Sequence, residues 1–218
     1  MDTVNLRAAI ADALDHERRT GELAYLLQGR LCRLHCTIHV NPRDPTASLL
    51  AFVEDYVQRV PELLDALRDI AEPQGNGEAV EAIINRCVEF FANPPTLPVG
   101  HHGLNGAMNI AYMAHRLIEE MNDHHLLSRG QALAPIDTTR SNLIIHHLIG
   151  EGYANQLDEA VHLIAVELIN GWRGTTTPPR GLQQSAPLPE LLRRWPCLRD
   201  SLGSDLLQLP AYGTTSIH

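Results

Sequence analysis

Apolar residues recur at intervals of three and four from about residue 4 to residue 171, which is the spacing of amphipathic helices. Proline, glycine and asparagine clusters divide this pattern into segments. The segments predict helices at about 4–18, 21–39, 46–71, 78–92, 104–127, 139–149 and 153–171. Strand-like alternation is nearly absent, and aromatic residues make up only 5% of the chain. We therefore predict an all-α fold, a multi-helix bundle of about six to eight helices with a flexible C-terminal segment.

Two positions of the third helix carry local signals. Thr46 is expected to cap its start, with Pro45 just before it. Pro61 falls inside the pattern, where it lacks an amide hydrogen and its ring clashes with the preceding turn. We therefore expect a break or kink near Val60.

The pattern divides the chain into three parts. Residues 1–172 are predicted to form the bundle, with a histidine-rich half at 101–172. Residues 173–187 are rich in Thr, Pro, Gln and Ser and are expected to form a flexible linker. Residues 188–218 are expected to hold a short amphipathic helix, Leu188–Leu202, and a tail.

Composition excludes several types of chemistry and partner and indicates the cellular compartment. All 17 basic residues are arginine, which excludes a Schiff-base lysine and a phosphate-loop lysine. The formal net charge of −9 argues against nucleic acid or an anionic membrane as the partner. With no signal peptide, no apolar run long enough to span a bilayer and only four cysteines, we expect a cytoplasmic protein with reduced thiols.

Histidine is concentrated in the second half of the bundle. Of the 12 histidines, eight lie in one window: His101, His102, His115, His124, His125, His146, His147 and His162. On a helical wheel of 104–127, His115 and Asn122 fall inside the apolar stripe, Glu119 lies on its flank, and Arg116 lies on the solvated side. Buried polar groups need partners, so this helix predicts a polar site inside the bundle.

The next helix, 139–149, is apolar nearly all round and is expected to lie at the centre. Since it carries His146 and His147 side by side, at least one imidazole must face inward. Glu151 follows His147 by four residues, as Glu119 follows His115, and this spacing places two residues on one helical face. The pattern predicts a divalent metal (Zn, Mn or Fe) bound by His115, Glu119, His147 and Glu151. Asn122, Arg140 and His146 are the predicted ligand-binding residues beside it. The alternative is that His115 and His147 are hydrogen-bonded core histidines.

Two other motifs resemble metal sites less closely. Cys32, His35, Cys36 and His39 form one stripe of the predicted helix 21–39, but four ligands in line cannot surround an ion, so we expect a packed helix edge. Glu159-x-x-His162 is half of a di-iron signature, but it points away from the apolar face of its helix.

Two functions fit this pattern. The first is a bundle whose buried His/Glu pocket binds a metal ion or a small molecule, with no reaction assigned. The second is a non-catalytic interaction or regulatory module, which uses the acidic surface and the Trp195-containing helix Leu188–Leu202 to bind another protein. Self-association into a homo-oligomer is compatible with either function.

Overall fold

The computed structural model describes residues 3–74, 76–94, 98, 100–130, 132–134 and 136–172. Over these residues the chain is all-α, without strands, and the predicted fold class is confirmed. The helices are α1 (Thr3–Thr20), α2 (Glu22–Arg30), a 3-10 turn (Leu31–Arg33), α3 (Pro45–Gln74), α4 (Gly77–Ala92), α5 (Gly103–Arg129), α6 (Thr139–Ile149) and α7 (Glu151–Trp172). The predicted linker 173–187 and the predicted segment 188–218 lie outside the described residues.

The centre of the bundle is α5, not the helix 139–149 as the sequence predicted. Residues 104–115 of α5 are all buried, so the helix is enclosed on every side over its first three turns, and α1, α3, α4, α6 and α7 all pack against it. Ala107, Ala111 and Ala114 keep α5 narrow enough for its neighbours to approach closely. By contrast, α6 turns Leu143 to solvent, with 64% of the residue exposed.

The third helix runs unbroken through Pro61, so the break expected near Val60 is absent. Proline costs a helix one backbone hydrogen bond. Here the flanking residues Val57, Val60 and Leu64 are fully buried in the core, and Pro61 itself is buried. Burial of this apolar face offsets the lost bond and keeps both halves of α3 in one helix.

Two helix ends differ from the prediction in the region between α2 and α3. Helix α2 ends at Arg30, and the chain then makes a 3-10 turn and an irregular loop instead of continuing to residue 39. The start of α3 is capped by Asp44, whose Oδ1 accepts a hydrogen bond from the amide of Ala47 at 2.9 Å, and not by Thr46. Pro45 occupies the first turn, where its missing amide hydrogen costs nothing.

None of the helices in the described part of the chain is long and apolar enough to cross a lipid bilayer.

Candidate metal centre

His115 is buried between α5 and α3. Its imidazole is stacked on the ring of Tyr56 with centroids 4.1 Å apart, and its Nε2 donates to the Tyr56 carbonyl oxygen at 3.2 Å. Burial lowers the pKa of His115 to about 3, so the imidazole is neutral near pH 7. The predicted inward orientation is confirmed, and the role of His115 as a metal ligand stays a prediction.

Glu119 belongs to a polar network that joins α3, α5 and α6. Its carboxylate accepts hydrogen bonds from Asn142 Nδ2 at 2.6 Å and from Thr139 Oγ1 at 2.9 Å. The other end of the buried Asn142 amide accepts from the Tyr56 hydroxyl at 2.7 Å. Burial raises the pKa of Tyr56, which keeps this hydroxyl protonated as a donor.

Arg116 extends the network to α7 and is not solvated as the wheel predicted. Its Nη1 donates to Glu119 at 2.6 Å, and its Nε donates to Asp158 at 3.0 Å. The Tyr112 hydroxyl also donates to Asp158, at 2.8 Å. The prediction was wrong because α7 packs along this side of α5 and covers it, which a wheel of one helix cannot show.

His146 lies at the edge of the same network. Its Nε2 is 3.0 Å from Asn155 Oδ1 and 3.6 Å from Asp158 Oδ2. Its ring meets the ring of Tyr112 edge-on, with centroids 6.1 Å apart. Of the predicted site residues, Glu119 therefore lies within the network, and His146 lies at its edge, 3.6 Å from the Asp158 carboxylate.

His147 and Glu151 are on different helices. Gly150, with φ of 100°, ends α6 between them, and Glu151 starts α7 as an exposed residue. The four-residue spacing therefore does not put them on one face, which corrects the prediction. The Nε2 of His147 lies 3.1 Å from the carbonyl oxygen of Arg33 and 3.2 Å from the amide nitrogen of His35, so it contacts the loop after α2.

The remaining predicted ligand-binding residues lie apart from the network. Asn122 Oδ1 accepts a hydrogen bond from the amide of Ala134 at 2.9 Å and so fastens the loop after α5. Arg140 is exposed on the first turn of α6.

The cysteine and histidine stripe predicted for residues 32–39 is not a helical stripe. Because α2 ends at Arg30, Cys32 falls in the 3-10 turn and Cys36 in the loop, and both are exposed. The expectation of a packed helix edge was therefore wrong. Glu159 and His162 are both exposed on α7, as predicted.

One group of side chains in the described part of the chain lies close enough together to hold a metal ion. His16 near the end of α1, Glu22 at the start of α2 and His102 just before α5 each place one ligand atom within 4.8 Å of the other two. Glu22 Oε2 is 2.8 Å from His102 Nε2 and 3.2 Å from His16 Nε2. The three side chains are between about one-third and two-thirds exposed, so the site opens to solvent.

A buried carboxylate fixes the α1–α2 corner on which two of these residues lie. Glu17 is 3% exposed, and its two oxygens accept hydrogen bonds from the amides of Leu23 and Ala24, each at 2.9 Å. This caps the first turn of α2 from the preceding helix. Gly21, with φ of 65°, makes the left-handed turn between the helices and so sets the distance from His16 to Glu22.

Gly103 allows the third ligand to approach. Its φ of 54° is in the left-handed region, and a Cβ at this position would overlap Cδ2 of the His16 ring. Glycine is therefore required both by the backbone turn into α5 and by the contact with His16. The extended backbone of His102 then directs its imidazole toward Glu22.

The sequence pattern predicted none of these three residues as ligands. His102 belongs to the histidine-rich window, but no motif indicates His16 or Glu22. The available signal was a histidine and a glutamate on either side of a glycine that separates two helices. What the sequence does not show is that residue 102 packs against this turn.

No protein-family model, curated protein or solved structure matches the chain. The structure thus describes a helical protein with a His/Glu cluster whose ligand atoms are close enough to bind a metal ion.

Proposed function

We propose that the protein binds a divalent transition metal ion at His16, Glu22 and His102. The observation that carries this proposal is that three ligand atoms from three separate elements lie within 4.8 Å of one another. Two imidazoles and one carboxylate are ligand types that zinc and iron(II) take in proteins. Zinc is the first candidate, because divalent zinc binds such sites more tightly than iron or manganese.

The cluster leaves room for a further ligand. Three protein ligands leave a tetrahedral zinc with one open position, and the exposed side of the cluster gives water or a small molecule access to it. A histidine pair bridged by a carboxylate also keeps both Nε2 atoms directed at one point before a metal arrives. Binding therefore requires loss of the N–H protons at those atoms but little movement of the ring positions.

The test is a zinc titration of the full chain after treatment with EDTA and removal of the chelator. We expect one zinc per chain, with iron(II) and manganese binding more weakly. His16→Ala, Glu22→Gln and His102→Ala should each weaken zinc binding by tenfold or more, on the order of 1.4 kcal/mol. His162→Ala is the matched control, because His162 also pairs with a glutamate, Glu120, but no third ligand joins them in the described residues.

Two outcomes would contradict the proposal. One is that wild-type protein takes up no zinc. The other is that the three variants bind like wild type while Glu119→Gln or His147→Ala loses binding, which would place the metal among the residues first predicted from the sequence.

A further inference from the structure

Exposed apolar residues are concentrated at the end of the bundle where α5 and α7 end. In the described part of the chain, eight large apolar residues are exposed, and four of these lie in the last three turns of the two helices: Leu126, Leu127, Leu163 and Val166. Leu127 is 87% exposed and Leu163 is 65% exposed. Single exposed apolar residues are ordinary on a protein surface, so what matters is whether these residues form one patch.

Contacts between α5 and α7 fix how the two helices lie beside each other. Arg116 of α5 donates to Asp158 of α7 at 3.0 Å. One turn further along both helices, Glu120 contacts His162. The helices therefore run side by side in the same direction, and each further turn of α5 lies level with the next turn of α7.

The exposed apolar residues continue these two facing stripes. Leu127 lies seven residues after Glu120 and so on the same face of α5. Val166 lies four residues after His162, on the same face of α7, and Leu163 lies three residues before Val166 on the exposed side. Leu127, Leu163 and Val166 therefore form one apolar patch, here called the α5–α7 surface.

The chain beyond α7 has the opposite charge to the bundle. Residues 1–172 contain 23 acidic and 12 basic residues, whereas residues 173–218, which lie outside the described residues, contain three acidic and five basic ones. Acidic residues also border the α5–α7 surface, because Asp123 and Glu159 are exposed one turn before its two leucines. Opposite charges favour an encounter between these two parts of the chain.

One segment beyond α7 fits this surface in chemistry and in reach. In the predicted amphipathic helix Leu188–Leu202, two arginines directly precede Trp195. Val166 is six residues before the end of α7, about 9 Å along the helix. The linker expected at 173–187 spans roughly 20–23 Å as a flexible chain, which is long enough to return the segment to the surface.

We propose that the segment Leu188–Leu202 folds back on its own bundle and covers the α5–α7 surface, with Trp195 as the central apolar contact. Attachment through α7 gives the segment a high effective concentration at the surface, which favours it over a separate partner. Its arginines then lie near the acidic residues that border the surface. None of these residues belongs to the metal cluster, so the proposal goes beyond the proposed function and does not depend on it.

The test is acrylamide quenching of tryptophan fluorescence in the full chain carrying Trp172→Phe, with excess EDTA present. This substitution leaves Trp195 as the only tryptophan. We expect Trp195 to be quenched less in the folded chain than in the same chain unfolded in urea, at every protein concentration, because docking shields its ring. Equal quenching in the folded and unfolded chains overturns the proposal. Protection that is lost on dilution also overturns it, since the occupant would then be a second copy of the chain.

Variants of the surface assign the protection to it. Leu127→Asp and Leu163→Asp should each lower the docking equilibrium constant by about tenfold or more, which raises the quenching of Trp195. Leu26→Asp is the matched control and should leave quenching unchanged. Leu26 is an exposed leucine on α2, beside the start of α5 and about 36 Å from Leu127 along that helix. Protection that persists in both surface variants, or that Leu26→Asp removes equally, overturns the proposal.

Charge reversal in the segment tests the electrostatic contribution. We expect the double variant Arg193→Glu, Arg194→Glu to show stronger quenching of Trp195, because the new carboxylates meet the acidic border of the surface. The double variant Arg173→Glu, Arg180→Glu is the matched control, since it reverses two charges in the predicted linker. Quenching that is no stronger in the first double variant than in the control overturns the proposal.

Discussion

The environment of His115 favours its neutral form. The folded pKa is about 3, whereas an unfolded histidine titrates near 6.5. Between these values the unfolded chain binds a proton that the folded protein excludes, so acid favours unfolding. The stability that depends on neutral His115 is complete above about pH 6.5 and decreases as the pH falls.

Urea unfolding at pH 7 and pH 5 tests this linkage. From pH 7 to pH 5 we expect wild type to lose about 2 kcal/mol more unfolding free energy than His115→Gln, whose amide does not titrate. The glutamine amide keeps a hydrogen-bond donor for the Tyr56 carbonyl oxygen. The stability of His115→Gln at pH 7 measures what the substitution itself costs, apart from any titration. Equal losses in the two proteins would show that His115 titrates normally when folded.

Individual side chains were predictable where one helix decides their environment. The wheel of 104–127 places His115 inside because the apolar residues around it define one face. The wheel fails for Arg116, since α7 covers that side of α5 and supplies the carboxylate of Asp158. Contacts of that kind depend on packing between distant segments.

At the scale of elements, proline and glycine signals located most helix ends to within a few residues. They failed after α2, where Leu34 and Ile38 continue an apolar spacing but pack on the core from a loop. They also failed at Pro61, because the cost of one proline is smaller than the gain from burying the residues around it. In both places tertiary packing outweighs the local preference.

Replacing Gly103 by alanine tests whether the backbone turn at the start of α5 shapes the metal cluster. We expect Gly103→Ala to lower stability by about 1 kcal/mol, because its φ is positive, and to weaken zinc binding, because the new Cβ displaces His16. Gly130 is the matched control: its φ is 75°, but no atom lies within 4 Å of a Cβ there. Gly130→Ala should lower stability similarly and leave zinc binding unchanged. Thermal unfolding and zinc titration measure both effects, and wild-type affinity in Gly103→Ala would contradict this role.

At the scale of the whole molecule, the polar network joins four helices through a few side chains. Asn142 on α6 is central, because its side-chain amide forms hydrogen bonds with Tyr56 on α3 and with Glu119 on α5. We expect Asn142→Leu to destabilise the fold by about 2–3 kcal/mol, since it leaves the buried Tyr56 hydroxyl without its acceptor. Asn155→Leu, at an exposed position of α7, is the control and should cost far less. Similar urea midpoints for the two variants would mean that the network contributes little.

The fold class followed from the sequence because helical periodicity repeats in every segment of the bundle. The candidate site did not follow, since its ligands come from positions 16, 22 and 102. A single sequence indicates the local turn at Gly21, but it does not show that the start of α5 packs against this turn. The internal network was predicted in part, through Glu119 and His146, because Glu119 flanks the apolar stripe of its helix and His146 is a polar residue on a largely apolar helix.

The central claim is the position of the metal, and anomalous diffraction from crystals loaded with zinc tests it most directly. We predict one strong peak at the zinc edge, about 2.0–2.2 Å from His16 Nε2, His102 Nε2 and a Glu22 carboxylate oxygen. A strong peak at Cys32 and Cys36, a peak beside His115 and Glu119, or no peak at all would contradict the account.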